Sequence, residues 1–328
     1  MAAPADQPLL RVEGLGVAVR RRAGALPILD DVSFDLAADE TLAIVGESGS
    51  GKSMLALAIT RLLMPPENYA VSGRVEFQGT DLVALPAAAM REVRGRGMAV
   101  VFQEALNALN PVLTVGRQIE ETVRRRDGGD AATARREAIR LLDEVGIPSP
   151  ERRLGDYPHQ LSGGMRQRVM IAIALACRPA LVIADEPTTS LDVTIQSQVL
   201  ALLRDVRRQN GMSMIFISHN LGAVAAIADR VAVLYAGHVM ELATVDELFA
   251  APRHPYTAAL LAATPRVDRP EKLAAIGGAV PRFDELPPGC RFAPRCPRAM
   301  PACSAAVPTI RAPDGEPGRR VRCIAPLP

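Results

Sequence analysis

Two short stretches place groups suited to polyphosphate chemistry in one chain. GESGSGKS, Gly46 to Ser53, follows the apolar run TLAIV and precedes the helical run MLALAITRLL. The order strand, Gly-x-x-x-x-Gly-Lys-Ser, helix is that of a phosphate-binding loop. Gly46, Gly49 and Gly51, with Glu47, Ser48 and Ser50 between them, let backbone N–H groups turn inward around an anion, and the helix N-terminus adds its positive end. Lys52 is placed to reach the β- and γ-phosphates of a nucleotide, and the Ser53 hydroxyl to hold Mg²⁺. Lys52 is one of only two lysines in the chain, the other being Lys272. A plain Gly/Ser turn is the alternative, and it leaves the match of all eight positions and both flanks unexplained. In the second stretch, LVIADEP (181 to 187), four apolar residues carry Asp185 and Glu186 to the carboxyl end of a strand. There Asp185 would join the Mg²⁺ shell and Glu186 would polarise an attacking water. Adjacent carboxylates also occur at strand ends as simple loop solvation; their pairing with the phosphate loop gives the catalytic reading.

Four thiols form a third constellation. Cys290, Cys296, Cys303 and Cys323 run C-x5-C-x6-C-x19-C in a proline-rich tail, and only Cys177 lies elsewhere, in the apolar run IAIALAC where it reads as core. Disulfides are one alternative, disfavoured for a chain read as binding nucleotide phosphates and lacking an export signal; four unrelated thiols are another. Clustering in a segment poor in hydrophobes favours a shared metal, and four thiolates suit tetrahedral Zn²⁺ or an iron–sulfur cluster. The C-x2-C knuckles typical of structural zinc are absent, and Arg291, Arg295, Arg298 and Arg322 would offset the charge of a thiolate-ligated cluster.

The elements that must position these groups follow from hydrophobic pattern. TLAIV (41 to 45), MAVVF (98 to 102), ALVIAD (180 to 185) and MSMIFIS (212 to 218) read as strands buried on both faces. Ile119 with Val123, then Ile139, Leu142 and Val145, then Ile195, Val199, Leu202, Leu203 and Val206, recur at helical spacing. The alternation predicts a parallel sheet with crossover helices, an α/β fold. Residues from about 104 to 179 hold helical patterns without strands and read as a helical insertion. Thirteen of the 27 prolines lie between Pro265 and Pro328, so a regular domain is expected over 1–264 and a loop-rich extension over 265–328.

Composition narrows the function classes. At 328 residues and 48% apolar content the chain can fill a sizeable core, and a net charge of +2 gives no case for bulk nucleic-acid binding or a polybasic membrane anchor. MAAPADQPLL lacks the charged start and apolar stretch of an export signal. The run from Gly211 to Ala228 is too polar to span a bilayer and reads as a strand leading into a helix.

LSGGMRQRV, Leu161 to Val169, resembles the signature of ATP-binding-cassette (ABC) ATPases, and further family motifs follow in order: VVFQE with Gln103, TTSLD with Asp192 and FISHN with His219. The resemblance covers roughly Leu9 to Glu241 and implies a P-loop nucleotide hydrolase of the ABC type. It implies that Ser162, Gly163 and Gly164 start a helix whose amides face the γ-phosphate bound in a partner cassette. Gln103 would sense Mg²⁺ and water, His219 would contact the γ-phosphate, and Asp192 would sit across the dimer interface; the alternative for His219 is a cap on the following helix. Met165 departs from the glutamine of the general signature. No aromatic residue lies between Gly14 and Ile28 to stack the adenine, leaving Val19 or Arg20 to Arg22 to cover the ring.

FQEALNALNPVLTVGRQI (102 to 119) and RHPYTAALLAATPR (253 to 266) resemble the di- and oligopeptide and nickel importer ATPases, near the D-type subunit. The second stretch has no role in hydrolysis derivable from its residues. This branch implies a second, different ATPase subunit, two permeases whose coupling helices meet Glu104 to Pro111 and the helical insertion, a substrate-binding protein, and a peripheral place on the cytoplasmic face of the inner membrane; the alternative for ALNALNP is an ordinary helix-to-loop junction. Related subunits carry a similar cysteine quartet, in some members with a 4Fe-4S cluster. The competing readings are a soluble cassette ATPase acting on nucleic acid or ribosomes and a catalytically idle regulatory cassette; the balanced charge disfavours the first, and Lys52, Asp185, Glu186 and His219 disfavour the second.

Overall fold

The computed structural model describes residues 7–22, 24–103, 108–189, 191–264 and 275–328. The chain divides into two units, Met1–Ala84 with Ser218–Pro328, and Leu85–Ile217.

The first unit contains a four-stranded antiparallel sheet in which Leu10–Arg21 lies between Gly24–Leu36 and Tyr69–Phe77, with Thr80–Asp81 at the edge. It also holds the apolar strand Thr41–Val45, buried throughout, which runs parallel to Arg230–Tyr235. A tight turn at Ala236 and Gly237 returns the chain as His238–Thr244, antiparallel to Arg230–Tyr235. The proline-rich tail was not expected to join a sheet. Its residues Arg320–Val321 nevertheless pair with Leu242 and Glu241. Only two residues are spliced in, between prolines that cannot donate to a longer ladder.

In the second unit Met98–Val101, Leu181–Asp185 and Ser213–Ile217 form parallel ladders in that order. All five residues of the last two strands are buried, as expected of strands covered on both faces. Between residues 108 and 180 the described residues are helical and loop segments. Val115–Asp127 is capped by Thr114 and buries Ile119 and Val123. Ala131–Glu144 is capped by Asp130 and buries Ala134, Ala138, Leu141 and Leu142, while Ile139 is only half-buried. Leu142 and Val145 of the expected face are buried, and Ile139 lies at its edge. In the helix Val193–Asn210 the buried positions are Val199, Leu203 and Val206.

The tail orders itself with buried arginines rather than apolar residues. Arg319, 2% exposed, donates to Glu241 Oε1 from Nη2 at 2.6 Å and from Nε at 3.0 Å. Glu241, 0% exposed, also accepts the backbone N–H groups of Arg253 and His254, each at 2.9 Å. Such a pair tolerates burial because both carboxylate oxygens are hydrogen-bonded. Arg322 bonds Asp31 Oδ2 at 2.9 Å and Arg291 bonds Asp30 Oδ2 at 2.6 Å. Three of the four arginines assigned from sequence to offset thiolate charge are thus engaged elsewhere: Arg291, Arg322 and Arg295, the last with Glu47. An arginine buried this deeply needs a carboxylate of its own. Cys177, expected in the core, is half-buried at the end of the helix Gly163–Ala176.

Two buried histidines give this unit a pH dependence. Burial, with Arg291 and Arg322 nearby, lowers His238 to about 4 against the opposing pull of Asp30, and burial lowers His254 to about 3. Their unfolded values lie near 6.5. The unfolded chain therefore binds more protons below that pH, and the stability these neutral histidines contribute is present above pH 6.5 and lost as pH falls towards 4. For His254 the loss is on the order of 2 kcal/mol at pH 5. The side chain of His254 also accepts the Tyr256 N–H as a helix cap, which Asn can do without titrating. His254→Asn should flatten the fall in thermal midpoint between pH 7 and pH 5; an unchanged slope would remove this histidine as a source of it.

Candidate functional site

The phosphate loop lies in the first unit, directly after Thr41–Val45 and before the helix Lys52–Ile59. Gly46 has φ +155°, and a Cβ there would stand 2.1 Å from the Leu234 carbonyl oxygen, so no other residue fits. The Lys52 side chain is buried and its Nζ donates to the carbonyls of Gly46 at 2.9 Å and Glu47 at 3.0 Å. Ser53 is exposed. Ser50 Oγ is buried without a hydrogen-bond partner among the described residues, and the Ser50 carbonyl accepts the Gly237 N–H at 2.8 Å. Glycine-permitted turning, an adjacent lysine and a helix start suit this loop to a nucleotide polyphosphate with Mg²⁺.

Two features support the loop that the sequence did not connect to it. Glu47 donates its backbone N–H to Tyr256 Oη at 2.9 Å. Its carboxylate receives both arms of Arg295, at 2.7 and 3.0 Å. Tyr256 belongs to RHPYTAALLAATPR, whose only sequence signal was family resemblance. Burial raises the Tyr256 hydroxyl well above its ordinary value, so it stays protonated. His219 is exposed in this unit, and the cap of the helix Leu221–Ile227 is Asn220, which accepts the Ala223 N–H at 3.2 Å. The capping alternative for His219 is therefore wrong by one residue. Tyr69 faces Val19 across the antiparallel sheet, an aromatic side chain close to the stretch that lacks one.

The second unit carries the carboxylates. Asp185 ends its strand buried, and Glu186 follows with φ +46°, a left-handed conformation rare for a non-glycine residue. Backbone held this way costs energy and concentrates at functional positions. Glu186 Oε2 accepts Thr189 Oγ1 at 2.8 Å and Gln103 Nε2 at 3.3 Å. Gln103 and Glu186, 83 residues apart, were assigned to water and Mg²⁺ from separate motifs, and here they touch. Ser162 caps Gly163–Ala176 by accepting the Met165 N–H at 3.3 Å, so Gly163 and Gly164 form the first turn, whose amides lack intrahelical acceptors. Asp192 caps Val193–Asn210 through the Ile195 N–H at 2.9 Å. Ser190, in the same motif, and residues 104–107, the start of the stretch expected to meet coupling helices, lie outside the described residues.

The four tail thiols share one neighbourhood. Burial raises Cys290, Cys296 and Cys323; Cys303 and Cys323 push Cys290 up further, Cys303 does the same to Cys296, and Cys296 and Cys303 to Cys323. Backbone N–H groups oppose this: Phe292 and Ala293 at Cys290, Arg298 at Cys296, and Ala325 at Cys323. Amides directed at sulfur suit thiolates. A Cβ on Gly289 would meet the Cys303 carbonyl oxygen at 2.2 Å, so glycine lets the two cysteine segments close up. Among the described residues, however, no three His, Cys, Asp or Glu side chains are grouped as a ready metal site.

The first unit carries a phosphate loop, and the second a carboxylate strand end with its glutamine, each a feature of P-loop ATPases. The ABC transporter family profile matches residues 29–189, and that of the oligopeptide/dipeptide transporter C-terminal region matches residues 240–303. A protein of Brucella abortus (strain 2308) named for peptide import and ATP binding is 48% identical over 322 residues, which cover 98% of this chain and 96% of that protein. A second from the same strain is 48% identical over 330 residues, covering 97% of each. Among solved structures, the ATP-binding cassette MJ0796, in a dimeric post-hydrolysis state with ADP and Pi, has a TM-score of 0.64 at 25% identity over 72% of this chain and 98% of its own. CbiO1 of Clostridium perfringens, part of the ABC transporter complex cbiONQ, has a TM-score of 0.64 at 26% identity over 75% of this chain and 92% of its own. The chain belongs to the ABC transporter family and is one of its ATP-hydrolysing, ATP-binding cassettes. Among the described residues no helix is long and apolar enough to cross a membrane.

Proposed function

We propose that this chain is the ATP-binding subunit of an importer of di- or oligopeptides, or of a related cargo such as nickel. The observation that carries the cargo class is the match of residues 240–303 to the oligopeptide/dipeptide transporter C-terminal region; the near full-length relatives named for peptide import support it. Two permeases, a substrate-binding protein and a second, different cassette complete the assembly, and the chain is held at the cytoplasmic face of the inner membrane through the permeases.

In this reading residues 46–53 and Lys52 bind the phosphates of ATP, Ser53, Asp185 and Gln103 hold Mg²⁺, and Glu186 acts as base on water. Ser162, Gly163, Gly164 and Asp192 meet the nucleotide of the partner cassette, and His219 meets the γ-phosphate. Residues 1–264 form the cassette, with the helical subdomain over about 104–179, and 265–328 form the extension. We also place a structural 4Fe-4S cluster, or alternatively Zn²⁺, at Cys290, Cys296, Cys303 and Cys323. The mutual proximity of the thiols and the amides aimed at three of them support it. Deprotonation of all four on binding couples the metal to folding of the tail.

Three measurements test these assignments. Glu186→Gln should keep MgATP binding while turnover falls by about 10²- to 10⁴-fold, the range for loss of a general base; undiminished turnover removes Glu186 from that role. Cells in which Lys52→Ala replaces the native chain should lose uptake of labelled di- and oligopeptides, and unaltered uptake of all of them would refute the cargo class. Chain purified without oxygen should carry about four irons and four sulfides, lost in Cys323→Ser. About one zinc would make the site a structural clip, and metal-free protein would end the metal reading.

A further inference from the structure

The two stretches with no part in hydrolysis, RHPYTAALLAATPR and the cysteine-bearing tail, converge on one residue of the phosphate loop. Glu47 is held on three sides. Its N–H donates to Tyr256 Oη at 2.9 Å, its carbonyl accepts Lys52 Nζ at 3.0 Å and the Ser50 N–H at 3.2 Å, and its carboxylate takes the two-armed contact from Arg295. Both holding side chains are rigid. The Tyr256 ring packs 4.6 Å from Tyr235 and 5.2 Å from Phe292, centroid to centroid, and is 0% exposed. The Arg295 side chain is 5% exposed. It donates to the Tyr235 hydroxyl at 3.2 Å, the Gly277 carbonyl at 2.8 Å and the Ile276 carbonyl at 3.3 Å, and its guanidinium lies 5.7 Å from the Tyr235 ring centre. Phe292 and Arg295 sit between Cys290 and Cys296, Phe292 as the N-cap and Arg295 as the last residue of the helical turn Ala293–Arg295.

We propose that Arg295 and Tyr256 are positioning residues for nucleotide binding: by fixing Glu47 they hold the phosphate loop in its receiving shape, so the helix Pro255–Ala262 and the C-terminal extension together set the affinity for MgATP. The inference rests on reading residues 46–53 as the phosphate site. Two physical effects carry it. A loop already ordered does not lose conformational freedom when the nucleotide arrives, so affinity rises. Glu47 also places a negative charge inside a loop that must accept a polyanion, and a bidentate guanidinium answers that charge at short range. Removing Arg295 undoes both effects at once: it frees the loop and leaves a carboxylate to repel the phosphates. Removing the carboxylate charge alone undoes only the first.

The test is equilibrium binding of a fluorescent MgATP analogue to the full-length chain. Arg295→Ala should weaken binding by about tenfold, and Glu47→Gln and Tyr256→Phe by about threefold each. Arg295→Lys, which keeps the charge and loses the fork, should fall between wild type and Arg295→Ala. Combining Arg295→Ala with Glu47→Gln should bring affinity back towards that of Glu47→Gln alone, because the repelling charge is gone. A merely structural role for Arg295 would not produce that recovery. Wild-type affinity in Glu47→Gln and Tyr256→Phe, whatever their thermal midpoints, overturns the proposal, and both remain informative if Arg295→Ala does not fold. Lys52→Ala separates the two levels: it should abolish binding, and if it binds like wild type the phosphate-loop reading has failed rather than the role of Arg295 alone.

Discussion

A loop that binds phosphate through its own backbone has few side chains left with which to hold itself. Its glycines are needed for turning, its lysine for the ligand, and its amides must stay unspent. In this chain Lys52 and the Ser50 N–H bond carbonyls within the loop, and further support comes from outside it. The turn at Gly237 donates its N–H to the Ser50 carbonyl and accepts the Asp30 N–H with its own carbonyl at 3.1 Å, tying the loop to the strands Gly24–Leu36 and Arg230–Tyr235. Tyr256 and Arg295 hold Glu47 from the other side. The parallel pairing of Thr41–Val45 with Arg230–Tyr235 brings these supports to the same end of the strand that launches the loop. Much of the first unit can be understood as answering that one constraint.

The tail meets it with charge rather than hydrophobic area. Its apolar contribution is small, chiefly Phe292 and Val321. Arg291, Arg319 and Arg322, at 5%, 2% and 2% exposure, are as buried as core leucines. A buried ion pair is no more stabilising than well-packed apolar residues, and losing one partner is costly. What such pairs supply is direction. Arg291 meets Asp30, Arg322 meets Asp31, Arg319 meets Glu241 and Arg295 meets Glu47, and each fork admits few geometries. A proline-rich segment without long ladders is thereby fixed in one register against the unit it closes.

This explains which parts were legible in the sequence. Strands such as Thr41–Val45 and Leu181–Asp185 announce themselves because burial on both faces demands an unbroken apolar run. Ser162 and Asp192 lie at helix starts because the first turn needs an acceptor, and that need is local. The role of Arg295 was hidden because its partner is 248 residues away and any of the tail's arginines could have filled the place. The thiols even drew attention to these arginines for the wrong reason: counter-charge for the cysteines was the nearer explanation, whereas burial had already committed three of them to carboxylates. Tyr256 was hidden for a similar reason, since an aromatic residue in an apolar helix reads as packing until its hydroxyl is seen to meet the Glu47 amide. The face read from Ile139, Leu142 and Val145 is the buried one, with Ile139 alone at its margin.

Glu186 is supported in a different way. Its backbone is left-handed, and the side chain is directed by Thr189, three residues on, and by Gln103, just beyond the end of the neighbouring strand Met98–Val101. Both donors converge on Oε2 and fix the orientation of the carboxylate, which suits the role of base proposed for Glu186. The two halves of the chemistry therefore depend on different parts of the chain. The phosphate loop is braced by Gly237, Tyr256 and Arg295 of the extension, and the orientation of the Glu186 carboxylate is held by its own neighbours within Leu85–Ile217. Under the roles proposed for Glu47 and Glu186, a change in the extension would be felt in nucleotide affinity and a change beside Glu186 in turnover, which would give the long, arginine-bonded tail a reason to persist.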